Sequence, residues 1–157
     1  AKLNTQYDMT KVFGKGTIYP ENPVKGEQAI MLYAVLTRQD NEVAGLTPAR
    51  KASYLGIGDI IGTKQISGYM DNQSSVSLAV KLYCKKANID PALAKPSKTI
   101  YIANASSIEA RLVKYVTLGV DLNITTLGAN KTFDATGRTS IGSMLDMVSR
   151  VLEKIGQ

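Results

Sequence analysis

Hydrophobic and polar positions alternate through residues 76–86. Val76, Leu78, Val80, Leu82 and Cys84 fall on one side of an extended chain, and Ser77, Ala79, Lys81, Tyr83 and Lys85 on the other. A period of two is the mark of a half-buried strand, and it predicts one here. A longer alternation begins at Ala110: Leu112, Val116, Leu118, Val120, Leu122 and Ile124 share one face, and Arg111, Tyr115, Thr117, Asp121, Asn123 and Thr125 the other, with only Val113 and Lys114 out of step. Kept extended from residue 111 to 125, this run would reach roughly 50 Å at about 3.3 Å per residue, so Gly119 is expected to mark a bulge, a bend or a break between two shorter strands.

Other stretches are shorter or less regular. Residues 1–28, broken by Gly14, Gly16, Pro20, Pro23 and Gly26, read as an irregular arm or a small hairpin. The apolar run "AIMLYAVL", residues 29–36, is too short for a period to identify and reads as strand or buried helix, with strand preferred; "TIYIAN" reads as a short strand. Thr47-Pro48 predicts the cap and first turn of a short helix through "ARKASYL", before Gly56, Gly58 and Gly62 weaken it.

The period changes at the carboxy end. Ile141, Met144, Leu145, Val148, Val151, Leu152 and Ile155 follow helical spacing, Thr139 or Ser140 can cap the start, and Gly156 can end it, which predicts a helix over 140–155. Its stripe, Met144, Leu145, Val148, Val151, Leu152 and Ile155, needs a partner, and the expectation is an interface with a second copy. The fold expected for residues 1–157 is a single α+β domain, mainly antiparallel β. It has an amino-terminal arm or hairpin, a basic-faced sheet over 76–127 and a dimerising carboxy-terminal helix.

Composition narrows the chemistry. Cys84 is the only cysteine among 157 residues and histidine is absent, which excludes an intramolecular disulfide, the usual zinc ligand sets and any nucleophile that relies on a histidine base. Cys84 reads as a small buried hydrophobe. The glycines of "GIGDIIGTK" lack the spacing of a phosphate-binding loop, and the thirteen carboxylates show no suggestive pairing, so no metal, no cofactor and no enzymatic activity are expected. The opening "AKLNTQYDMT" has no apolar core of the kind a secretory signal needs, and no apolar run is long enough to span a bilayer. The expectation is a protein made and used in a cytosol, with no membrane partner.

The charge of +6 is unevenly placed. Residues 1–75 carry eight basic and seven acidic side chains, whereas residues 76–157 carry eleven and six. Within 76–115, Lys81, Lys85, Lys86, Lys95, Lys98, Arg111 and Lys114 face only Asp90 and Glu109. If the two alternating runs share a sheet, Lys81, Tyr83, Lys85, Arg111, Tyr115 and Thr117 form one basic, aromatic and hydroxyl-bearing surface. Such a surface suits single-stranded nucleic acid, with cations on phosphates and tyrosines on unpaired bases. The plainer alternative is an ordinary solvated sheet face, on which Lys, Thr and Tyr are common.

The order of these segments, with the start "AKL", the runs "SVSLAVKLYC" and "ARLVKYVTLGVDLNI" and the closing "SMLDMVSRVLEKI", resembles the coat proteins of single-stranded RNA bacteriophages. That resemblance implies antiparallel strands whose inner face binds RNA and a terminal helix packed over a dimer mate. By strand position, the RNA face would fall on Lys81, Tyr83, Lys85, Arg111, Tyr115 and Thr117. It implies a self-assembling viral coat protein, located in the virion and assembled in the host cytoplasm, that binds single-stranded RNA inside a shell. Two alternatives stand beside it: another virion component, such as a tail tube or head decoration protein, and a small cytosolic nucleic-acid-binding protein.

Overall fold

In the computed structural model, which describes residue 3 and residues 6–156, the chain folds into helices. In order they are α1 (Thr10–Phe13), α2 (Gly26–Leu36), α3 (Pro48–Tyr54), α4 (Thr63–Ile66), α5 (Asn72–Ala87), α6 (Ala110–Asp121) and α7 (Ile141–Lys154), with single 3-10 turns at Ala105–Ser107 and Ala129–Lys131. Among the described residues there is no β-strand. Extended backbone pairs only at three isolated bridges, Pro23 with Ser140, Lys25 with Tyr69 and Asp71 with Arg138. The expected antiparallel sheet is therefore overturned: the basic-faced strands of 76–127 are parts of α5 and α6, "AIMLYAVL" lies in α2, "KVF" in the amino-terminal segment is the end of α1, and "TIYIAN" is irregular.

The cause of the misreading lies in which residues made up the polar half of the alternation. In α5 that half begins with Ser77 and Ala79, which are small enough to be buried in a helix contact, and every residue from Gln73 to Val80 is buried. Ser77 Oγ donates to the Gln73 carbonyl at 2.7 Å, and the Ser75 and Thr139 hydroxyls share a bond of 2.7 Å, so these hydroxyls need no water. In α6 a helical period accounts for buried Leu112, Val116 and Gly119, and it absorbs the two residues that broke the alternation.

Gly119 is a packing device. A β-carbon there would lie 2.5 Å from Val76 Cγ1, closer than any real contact, so the bare backbone lets α6 lie directly on α5. No bulge or break occurs at this position; the helix runs through it.

The helices start where the sequence offers caps. Thr47 Oγ1 accepts from the Arg50 amide above Pro48 at 3.3 Å, Asp71 from the Ser74 amide at 3.0 Å, and Ser140 from the Ser143 amide at 3.1 Å. Asn88, at φ 57°, closes α5 in the left-handed region. The three isolated bridges bring the starts of α2, α5 and α7 together: Val24 N donates to Thr139 O at 2.9 Å, Met70 N to Val24 O at 2.9 Å, and Thr139 N to Met70 O at 3.0 Å. Val24, Met70 and Thr139 are all buried at this junction.

The predicted carboxy-terminal helix is present as α7, capped by Ser140 as expected. Its stripe is covered from within, because Met144, Val148, Val151 and Leu152 are buried in the chain's own core and α7 packs on α5. Leu145 and Ile155 are half-buried against that core. Those six side chains therefore need no second copy to leave water. No helix among the described residues is long and apolar enough to cross a membrane.

Candidate nucleic-acid interface

A helical period re-sorts the surface that the alternation predicted. Residues four apart share a side of a helix, and residues two apart stand about 200° from each other. Lys81 and Lys85 therefore share a side of α5 and Tyr83 turns away from both. Arg111 and Tyr115 share a side of α6 with Lys114 beside them, and Thr117 turns away, its hydroxyl donating to the Val113 carbonyl at 2.7 Å.

Three of the six predicted residues do meet, in a different role. Lys81 Nζ pairs with Asp59 at 2.6 Å, donates to the Gly56 carbonyl at 2.7 Å and lies 5.9 Å from the centre of the Tyr115 ring. The Lys81 side chain is only 12% exposed. Arg111 donates to the Asp59 carbonyl and pairs with Glu109 at 2.7 Å. Both cations clamp the 56–59 turn onto α5 and α6, so phosphate would have to displace bonds already made. Tyr83 and Tyr115 are half-buried against the core, and burial, followed by the charges of Asp59 and Cys84, pushes the Tyr115 hydroxyl up from its ordinary value. Lys85 alone of the six is exposed and without a partner among the described residues; its neighbour Lys86 donates to the Tyr7 hydroxyl at 3.1 Å.

The next turn of chemistry along the chain is a strap. Lys114 Nζ, exposed on α6, donates to the Pro91 carbonyl at 2.6 Å. Seven residues on, the Asp121 carboxylate accepts from the Ser97 amide at 2.9 Å and from the Ser97 hydroxyl at 2.8 Å. From Lys114 to Asp121 the helix rises about 10 Å, so residues 91–97 lie along α6, pinned at both ends. The strap carries Lys95 and delivers Lys98 to Asp121. The Ser97 amide is the main cause holding the Asp121 carboxyl below its ordinary value; burial opposes it, and the Ser97 hydroxyl, Lys98 and Lys154 add to it.

Lys154, on α7, thus lies near enough for its charge to act on the same carboxylate. One helical turn earlier on that helix, Arg150 donates to the Asn123 carbonyl at 3.3 Å and pairs with Asp146 at 3.1 Å. The result is a row of cations along α6: Lys114 on the helix itself, Lys95 and Lys98 on or beside the strap, then Lys154 and Arg150 on α7. Asp121 lies between Lys98 and Lys154, and Asp146 pairs with Arg150 at its end.

No protein-family model matches the chain, and no curated protein matches it in sequence. The residues therefore speak for themselves. Sequence reasoning located the charge excess but chose Lys81, which the fold covers, and Arg111, which stays exposed but is bonded to Asp59 and Glu109, and passed over Lys154 and Arg150. Those two were legible as one polar side of the only long helix read correctly, four residues apart. Their link to Lys98 runs through Ser97 and Asp121, a contact of sequence separation 24 that no local pattern announces.

A recess of about 460 Å³ lies between Tyr33, Gly56, Lys81, Cys84 and Asp90. Cys84 is 1% exposed, and burial pushes its thiol up, which leaves it protonated at neutral pH. Burial, with the charges of Cys84 and Asp59 behind it, pushes the Tyr33 hydroxyl up to about 12. Neither group is poised as a nucleophile or a base.

Proposed function

We propose that the protein is a non-catalytic, multi-copy structural protein that holds single-stranded RNA by its phosphates along the cation row of α6, the strap and α7. The observation that supports this most is the row itself: Lys98 beside the strap and Lys154 on α7 lie on either side of the Asp121 carboxylate, with Lys114 farther back on α6 and exposed Lys95 on the strap, so cations of three separate elements outnumber the acids among them. Lysines that reach phosphates without planar, bidentate geometry favour sequence-tolerant contact, which is what packaging or coating a strand requires. Assembly of copies along the strand is the second part of the proposal. Leu93 on the strap is 73% exposed and Tyr101 beyond it 64%, the two most exposed large apolar side chains described, and both lie in the segment that carries the row. The two stretches that carried the resemblance to phage coat proteins are helices, so the proposal stands on this surface and not on that likeness.

Filter binding of a single-stranded RNA across a salt series tests the row. Removing one cation from a phosphate lowers the slope of log affinity against log salt by about 0.7. Lys95→Ala, Lys98→Ala and Lys114→Ala should each show that decrease, and the triple variant about three times as much. Lys81→Ala and Arg111→Ala should change stability but leave the slope alone. A triple variant with the parent's slope would remove the row as the binding surface. Light scattering with absorbance at 260 nm checks assembly, the expected outcome being particles that carry nucleic acid; particles free of RNA would favour a tube or decoration protein instead.

A further inference from the structure

At the α7 end of the row a cleft of about 390 Å³ opens between the start of α5, the 124–134 segment and α7. Its inner wall is apolar: Val76, Ile124, Phe133 and Met147 are each at most 7% exposed. Its remaining lining is polar and incompletely engaged. Among the described residues, the Thr125 and Thr126 hydroxyls have no hydrogen-bonding partner, and Asp134 faces no cation, its Oδ1 accepting only the Gly137 amide at 3.1 Å. Arg150 belongs to both structures, since it is the last cation of the row and also lines the cleft.

We propose that this cleft binds one unpaired base of the RNA, and that the base is guanine. The inference rests on the RNA-binding reading above and deepens it. A strand whose phosphates follow Lys114, Lys98 and Lys154 arrives at Arg150, where its next base meets a cleft of about 390 Å³ with apolar side chains at its floor. The polar lining then selects among bases. A carboxylate accepts from N–H groups, and guanine alone presents two adjacent donors, N1–H and N2–H, on its Watson–Crick edge. The guanidinium of Arg150 keeps an Nη2 not engaged by Asn123 or Asp146, and it can donate to the O6 acceptor of the same base. Uracil and cytosine are smaller and adenine offers a single donor group, so each leaves part of the lining unpaired. The hydroxyls of Thr125 and Thr126 are placed to bond the sugar.

The test uses two labelled oligoribonucleotides, an all-uridine strand and the same strand with one central guanine, titrated by fluorescence anisotropy. The guanine strand should bind about ten-fold tighter, the order of magnitude a good paired base contact gives. Asp134→Asn keeps the side chain's shape and its bond to Gly137 and should abolish the preference while leaving the salt slope unchanged. Thr126→Trp, at an exposed position on the rim, should fill the cleft and bring the guanine strand down to the uridine level; circular dichroism verifies that both variants keep their helix. Equal binding of the two strands with a normal salt slope overturns the pocket and leaves the row standing. A preference that survives both substitutions also overturns it, because guanine is then read elsewhere. If neither strand binds at low salt, the row itself fails and the pocket falls with it.

Discussion

The two ends of α5 belong to one helix and live in opposite surroundings. From Gln73 to Val80 every side chain is buried, including Gln73 and three serines, and apart from Ser74 Oγ the polar groups here find partners inside the fold, the Asp71 carboxylate among them. From Lys81 onward the helix carries three lysines, with Lys85 exposed and Asn88 turning the chain out toward the strap. Polarity is present at both ends, and what separates Gln73 from Lys85 is whether a partner waits within the fold. Gln73 has one on each side: its Nε2 donates to Asp71 at 3.0 Å and its Oε1 accepts from the Glu109 amide at 2.9 Å, which ties the start of α5 to the start of α6. Lys85 has none among the described residues, and the helix's exposed carbonyl end is the only local charge it complements. Structure is therefore concentrated at the first end and available binding capacity near the second.

The strongest way to break the buried end is at Gly119. Valine there adds three carbons where the first already falls 2.5 Å from Val76, a β-branched side chain with little freedom to turn aside. Overpacking of this kind costs about 3 kcal/mol, well above the fraction of a kcal/mol by which valine exceeds glycine in helix propensity. Urea unfolding of Gly119→Val should show a loss near that size. A loss under about 1 kcal/mol would mean that α5 and α6 do not lie as close as described.

A gentler comparison pairs Gln73→Leu with Lys85→Ala, one substitution at each end. Leucine fits the volume but leaves the Glu109 amide without an acceptor, a cost of about 1 to 3 kcal/mol for a buried donor. The Lys85 change lies on the surface and should fall within about 0.5 kcal/mol of the parent. Equal stabilities for the two variants would erase the distinction between the ends.

What could be read from the sequence follows the same division. α3 and α7 were legible because each announces itself twice, by a cap and by spacing: Thr47 with Pro48, and Ser140 with the stripe from Ile141 to Leu152. α5 was not, because its polar half begins with Ser77 and Ala79, which can be buried in a helix contact and so carry no information about solvent, and α6 was not, because Val113 and Lys114 read as exceptions to a period of two, whereas a helical period accommodates them. α2 was ambiguous for a related reason: it is apolar nearly all round, as a central helix is, and such a run has no period to find. The excess of positive charge in the second half was visible. Which lysines remain free depended on Asp59 and Asp121, acids far away in sequence that the fold assigns to Lys81 in one case and to the strap in the other.

The smallest effect concerns the strap, and it sharpens the exposed end. Asp121 has a folded-state carboxyl value held below 3.8, the ordinary value it would recover in the unfolded chain, chiefly by the Ser97 amide. A depressed carboxyl contributes stability that is present above 3.8 and is lost as pH falls through the lower, folded value. Between those two pH values the strap should loosen from α6 while the buried end of α5, which owes nothing to this carboxylate, stays in place. The Ser97 amide resonance should report it in an NMR titration, moving with a midpoint below 3.8, while the Glu109 amide bonded to Gln73 does not follow the same curve. Asp121→Asn should remove that transition, and Ser97→Ala, which keeps the amide bond and loses the hydroxyl, should shift its midpoint upward without abolishing it. If the Glu109 and Ser97 amides moved together, the strap and the helix junction would be one cooperative unit, and the contrast between the two ends would be one of composition only.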